Sequence, residues 1–321
     1  MFREVKKLCK NKWFIFSLIS VVILMILSFT NLISRYYQGI FTSICINIIL
    51  VTSLNLLSGY LGELTLGHAG FMSIGAYVGA YITKDLFSFL AIEISFWPAL
   101  IIGAIIAALI GFVVAFASLR LKGDYLAIIT LAFGEIIKNI LTNLELVGGA
   151  KGYMGISRFV NLPLALIIMF ISVFLMYLLV NSQYGRIIKA ISVDDLASNN
   201  SGIDTKAYKI KTFVIAAFFA GIAGVLYAHY MGNLAPKIFD YNMSIEILVM
   251  VVLGGMGNFK GGIISAIILT LLPELLRGFA DYQMLAYALI LIFMMLFKNN
   301  AKVNAFFSEL KLKISKEKVH E

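Results

Sequence analysis

Apolar runs of membrane length dominate the chain. A spanning helix needs about 20 apolar residues. By that measure ten segments are predicted, at 13–34, 38–58, 65–83, 98–119, 125–142, 162–181, 208–232, 243–257, 261–278 and 280–297. The eighth and ninth are short and flank a glycine-rich turn, so they also read as half-helices or a re-entrant pair. The expected count is therefore 8 to 10 spans in an all-α polytopic membrane bundle. Five helices per half would turn the second half over relative to the first, as in an inverted repeat.

One long polar stretch interrupts this pattern, residues 183–205 (QYGRIIKAISVDDLASNNSGIDT). At helical spacing Ile187, Ile188, Ile191 and Leu196 share an apolar side, while Lys189, Ser192, Asp195 and Asn199 point elsewhere. Asp194 or Asp195 can cap a second short turn that Gly202 ends, and Asp204-Thr205 starts the next long helix. The stretch reads as a folded amphipathic element. Such an element either covers the end of a bundle or docks a soluble partner.

Charge sets the threading. Of the 26 Lys and Arg, 19 fall inside and 7 outside when the N-terminus is placed in the cytoplasm. The bias puts both termini and residues 183–205 on the cytoplasmic side. Residues 1–12 form a basic N-terminus, 13–297 the transmembrane domain, and 298–321 a basic cytoplasmic tail. The run from Trp13 to Ile33 is too long for a signal-peptide core and reads as a retained helix.

With 61% hydrophobic and 13% charged residues, the composition is that of an integral membrane protein. The net charge of +9 sits at segment ends, which argues for lipid contacts and against nucleic acid. Cys9 and Cys45 make no disulfide framework, and three scattered histidines make no metal cluster.

Small residues mark close helix contacts: Gly75 and Gly79; Gly103, Ala107, Gly111 and Ala115; Ala217 with Gly221, and Ala220 with Gly224. Between Leu54 and Tyr81 the apolar pattern is broken by Gly59, Gly62, Gly67 and Gly70, with Glu63 and His68 among them. Breaks with polar groups at membrane depth occur in protein or beside a water-filled cavity. The same residues also fit a cytoplasmic turn ahead of the third helix. Residues 143–161 form the longest outside loop, made flexible by four glycines. The run VLGGMGNFKGG, Val252 to Gly262, fails the phosphate-loop spacing and reads as a tight turn. Glu135 and Lys138 are an i, i+3 pair, and Pro273 is expected to bend the ninth segment.

The polar stretch, followed by KTFVIAAFFAGIAGVLYA and SIEILVMVVLGGMGNFKGGIISAIILTLLPELLR, resembles the permeases of branched-chain amino-acid ABC transporters, most closely the M-type (LivM-type) subunit. So does LNLLSGYLGELTLGHAGFMSIGAYVGAY; the resemblance covers most of residues 38–297. It implies a bacterial-type plasma (inner) membrane protein working with a homologous second permease subunit, two ATP-binding subunits and an extracytoplasmic binding protein. The substrate implied is leucine, isoleucine or valine. The chain itself would bind no cofactor; ATP and Mg would be used by the partners. The implied ATPase-coupling residues are Gly185, Arg186, Ile187, Ile188, Ala190, Ile191, Asp194, Asp195, Leu196 and Gly202. Gly62, Gly67, His68, Gly70 and Gly75 would lie along the substrate path. Related permeases take urea, amides or other small solutes. An ion-gradient carrier is the other reading, but the acidic residues fall mostly near helix ends rather than at mid-membrane.

Overall fold

The computed structural model describes Met25, residues 34–118, 121, 123–276, 289 and 292. Of the predicted first and last spans, 13–34 and 280–297, only residues 25, 34, 289 and 292 are described, and the two termini lie outside the described residues. The chain divides into two compact units, Met1–Ile267 and Ile268–Glu321.

Among the described residues ten α-helices follow in order. They are α1 (Arg35–Asn55), α2 (His68–Tyr81), α3 (Ile92–Ser118), α4 (Asp124–Asn143), α5 (Leu162–Asn181), α6 (Gln183–Val193), α7 (Asp195–Asn200), α8 (Thr205–Met231), α9 (Tyr241–Gly254) and α10 (Phe259–Leu275). The π turn Leu56–Leu61 extends α1, and another, Ile82–Leu86, follows α2. Among the described residues five helices are long and apolar enough to cross a membrane: α1 with its π turn, α3, α4, α5 and α8. Helix α2 runs without a break into its π turn, and the two together are not among these five. Helix α9, at 14 residues, is short, as its sequence indicated. Helix α10 runs through Pro273 and ends at Leu275.

The core of the first unit is α8 against α2 and α3, with α1 alongside. Backbone proximity is the reason these helices carry small residues. A Cβ on Gly221 would lie 2.7 Å from Ala107 Cβ and 2.9 Å from Ala104 Cα; one on Gly75 would lie 2.5 Å from Gly221 Cα. One on Gly224 would stand 2.8 Å from the Ala76 nitrogen, and one on Gly111 2.5 Å from Ala217 Cβ. The predicted stripes therefore mesh as one set, with α8 wedged between its two neighbours. In lipid, where apolar burial gives little drive, such close van der Waals packing holds helices together. Helices α4 and α5 are peripheral, with most of their surface outward.

One end of this unit carries α6, α7 and the turn Gly255–Asn258. The other carries the glycine-rich loop. The loop, expected to be flexible, is pinned. Short 3₁₀ turns at Glu145–Val147 and Gly149–Lys151 lead into strand β1 (Tyr153–Met154). β1 pairs antiparallel with β2 (Asn233–Leu234), Tyr153 opposite Leu234. Lys84 Nζ donates to the Met154 carbonyl at 2.8 Å and lies 4.2 Å from the Tyr153 ring centroid. The Tyr153 hydroxyl donates to Asp85; burial and that carboxylate both push its pKa up. The glycines serve this turn through positive φ, +83° at Gly148 and +85° at Gly152.

Candidate functional site

Helix α5 ends at Asn181 and α6 begins two residues later, so the chain turns sharply at Ser182. Gly185 makes this turn possible, because a Cβ there would stand 2.6 Å from Val180 Cα. Helix α6 then lies on the bundle by its apolar side. Ile188 is 0% and Ile191 3% exposed. The Tyr184 hydroxyl reaches the N-terminal turns of α8, 3.2 Å from the Tyr208 carbonyl and 2.8 Å from Thr212 Oγ1. Burial pushes its pKa up to about 12, so it stays protonated at neutral pH. Lys189 Nζ lies 5.2 Å from the Tyr60 ring centroid, on the π turn after α1.

Asp194 ends α6 and caps α7, its Oδ1 accepting from the Ala197 nitrogen at 2.9 Å. Gly202 follows with φ +85°, and Asp204 caps α8 by accepting from Ala207 N at 3.1 Å. Replacing Asp194 by alanine is expected to cost about 1 kcal/mol locally. Hydrogen exchange would register it as several-fold faster exchange at Ala197; an unchanged rate would refute the cap's contribution.

The amphipathic set predicted from spacing thus divides. Ile188 and Ile191 are spent on the bundle, and Ile187 is half-buried. Leu196 is 70% exposed, and Val193, absent from that set, is 86% exposed. Arg186, Ala190, Asp194 and Gly202 are also exposed, and Asp195 is half-buried. The helix break at Asp194 causes the division, since α7 does not continue the α6 periodicity. The free surface is therefore a pair of outward apolar side chains at the α6–α7 junction, with Arg186 on the exposed side of α6.

Beneath this element sits an ion group that spacing did not reveal. Lys209 Nζ lies 2.6 Å from Glu63 Oε1 and 3.1 Å from Asp195 Oδ2. Lys209 and Glu63 are both buried. Lys209 read only as one more inside charge; its partners are far apart in sequence. Close by, Asn55 Oδ1 accepts from the Gly257 nitrogen at 2.9 Å. The glycine-rich break of the first half therefore meets that of the second, Gly257 taking φ +76° to do so.

The five predicted path residues are distributed over several contacts. Gly62, at φ +80°, neighbours the polar element; a Cβ there would lie 3.3 Å from Ser192 Cβ. Gly67 and Gly70 abut α4 at Thr130 and Gly134, and Gly75 abuts α8. The segment entering α2 is clamped by hydroxyls: Thr130 Oγ1 accepts from Leu66 N at 3.0 Å, and Ser244 Oγ from Ala69 N at 3.2 Å. His68 is fully buried, its Nε2 2.7 Å from Ser53 Oγ, while its Nδ1 has no hydrogen-bond partner. These residues place a buried imidazole at the start of α2, between α1, α4 and α9. Among the described residues no cluster of three or more His, Cys, Asp or Glu is placed to hold a metal ion.

A helical bundle with several membrane-length apolar helices and close-packed glycines is the architecture of a multi-pass membrane protein. The chain belongs to the family described as branched-chain amino acid transport system / permease component, which matches residues 36–298. It is 33% identical to the high-affinity branched-chain amino acid transport system permease protein LivM of Escherichia coli (strain K12), over 95% of this chain and 77% of that protein. It is 30% identical to LivH of the same strain, over 35% of this chain and 37% of that one. The ribose import permease protein RbsC of Haemophilus influenzae is 26% identical over 70% of this chain and 73% of its own length. No solved structure matches the chain.

Proposed function

We propose that the chain is one of two permease subunits of an ATP-driven importer for leucine, isoleucine and valine in a bacterial-type plasma membrane. The observation that carries this reading is the α6–α7 element. It is folded and anchored by Ile188, Ile191 and Tyr184, yet turns Val193 and Leu196 to solvent. Neighbouring exposed apolar side chains on a folded, otherwise polar element support a docking role. In this reading an ATP-binding subunit receives Val193, Leu196 and Arg186, and the bundle end carrying them faces the cytoplasm. The distribution of Lys and Arg along the sequence supports that orientation.

The second permease is a homologue, as LivH is to LivM in their system, and a second ATP-binding subunit sits beneath it. An extracytoplasmic binding protein delivers the amino acid to the pinned outer loop. ATP and Mg are bound by the partners, and this subunit is not itself an enzyme. Transport follows from alternation between outward- and inward-open arrangements, each favoured by a different nucleotide state below. The buried start of α2, with Gly67, His68 and Gly70, lines the path between them.

Purification of the complex from native membrane tests the assembly. Two ATP-binding subunits and a second permease should travel with the chain. A chain that purifies alone and moves solute in vesicles without ATP would refute the reading and favour an ion-gradient carrier. Calorimetry of the co-expressed binding protein with leucine, isoleucine, valine and urea decides the substrate. A response to urea alone would replace the amino-acid assignment.

A further inference from the structure

We propose that Lys209 is a positioning residue that transmits movement of the α6–α7 element to the broken segment ahead of α2. The inference rests on the importer reading above. Its ammonium joins three parts of the chain: the first turns of α8, Glu63 in the segment between α1 and α2, and Asp195 at the start of α7. Each plays a different mechanical part. Helix α8 is the core helix packed on both α2 and α3. Asp195 belongs to the exposed element. Glu63 directly follows Gly62, whose positive φ lets the chain leave the π turn, and precedes the entry to α2.

One ammonium holds two carboxylates. Losing both partners would strand a buried ammonium, which is strongly destabilising. Losing one leaves Lys209 still paired. The group can therefore pass between two arrangements, Lys209 held by both acids or by one, without stranding its charge. Displacement of α7 draws Asp195 away or toward Lys209 and changes how tightly Glu63 is held. The same two elements touch a second time at Gly62 and Ser192, so the displacement has a steric route beside the ionic one. A contact that differs between two arrangements is what an effector needs in order to shift their populations.

The test uses the native host lacking the chromosomal copy and supplied with tagged variants. Radiolabelled leucine uptake is measured in cells, and ATP hydrolysis in the complex purified from them. Asp195→Ala keeps the Lys209–Glu63 pair, so the chain should fold and assemble. Lys209→Met with Glu63→Met removes both buried charges together and should also fold. The double methionine variant is expected to hydrolyse ATP within about twofold of wild type, and both variants to carry about tenfold less leucine per ATP. Lys209→Arg keeps the charge and both partners in reach, and should stay within about twofold of wild type. Wild-type leucine uptake per ATP in Asp195→Ala, or in the double methionine variant, would overturn the relay and leave the group a structural pair. If the wild-type complex itself shows no ATP-dependent leucine uptake, the importer reading fails and the relay with it.

Discussion

Replacing Gly221 by leucine is expected to leave almost no folded chain in the membrane. Gly221 sits on α8 where it passes between α2 and α3. On one side the Gly75 backbone lies against it; on the other are Ala104, Ala107 and the Gly103 carbonyl. A Cβ at Gly221 would already lie 2.7 Å from Ala107 Cβ and 2.9 Å from Ala104 Cα. A single extra methyl in a well-packed site costs about 1–3 kcal/mol, and leucine brings four heavy atoms where the neighbours cannot rotate aside. Backbone atoms on both flanks can yield only if whole helices separate. Separation would also undo the contact of Gly224 with α2 and that of Gly111, on α3, with Ala217 of α8. Total stability of a domain is about 5–15 kcal/mol, so one such site consumes a large share of it. Gly134→Ala is the matched control: its Cβ would meet Gly67 Cα at 3.7 Å, an ordinary contact. Helix propensity alone predicts a gain of up to about 1 kcal/mol there. Fluorescence-detected size exclusion in detergent, with a thermal ramp, compares the two. A Gly221→Leu protein with wild-type yield and midpoint would sink the close-packing account.

These contacts were legible in the sequence as spacing but not as pairing. The stripes of Gly75, Gly103, Gly111 and Gly221 announced that helices approach closely. Nothing local stated that α8 is the helix between the other two, because that depends on which helix faces which. Span boundaries were legible where composition changes abruptly: residues 162–181 were predicted, and α5 runs Leu162–Asn181. They blurred at α2, where a break among glycines starts the helix at His68 rather than residue 65. The proposed docking surface was half legible. Helical spacing located an amphipathic element, but periodicity extended across Asp194 grouped Leu196 with Ile188, although one faces solvent and the other the core. The cap at Asp194 that breaks the register was itself visible. The Lys209 group was not, since its residues lie on three segments that only the folded bundle brings together. The meeting of Asn55 with Gly257 was hidden for the same reason.

Val193→Asp combined with Leu196→Asp is expected to abolish ATP-dependent uptake while leaving the permease folded. The argument turns on which way these side chains face. Both are mostly exposed, so charge at either position meets water in the isolated subunit and costs the fold little. In the proposed complex they are the apolar contacts that the ATP-binding subunit covers. Burying a valine and a leucine is worth about 1.5–3 kcal/mol each. Losing both, and placing two carboxylates there instead, weakens association by about a hundredfold or more. Asp194 and Asp195 lie between them, so four consecutive acidic side chains would then crowd the α6–α7 junction. The ATP-binding subunit should fail to co-purify, and leucine uptake should fall to the background of cells lacking the chain. Ile188→Asp supplies the contrast, because its side chain is fully buried against the bundle. It should reduce the amount of folded permease itself rather than only its partner. The two variants together separate docking from folding. Retained co-purification and uptake in the double aspartate variant would mean that the ATP-binding subunit is received elsewhere. The exposed apolar pair would then need a different occupant.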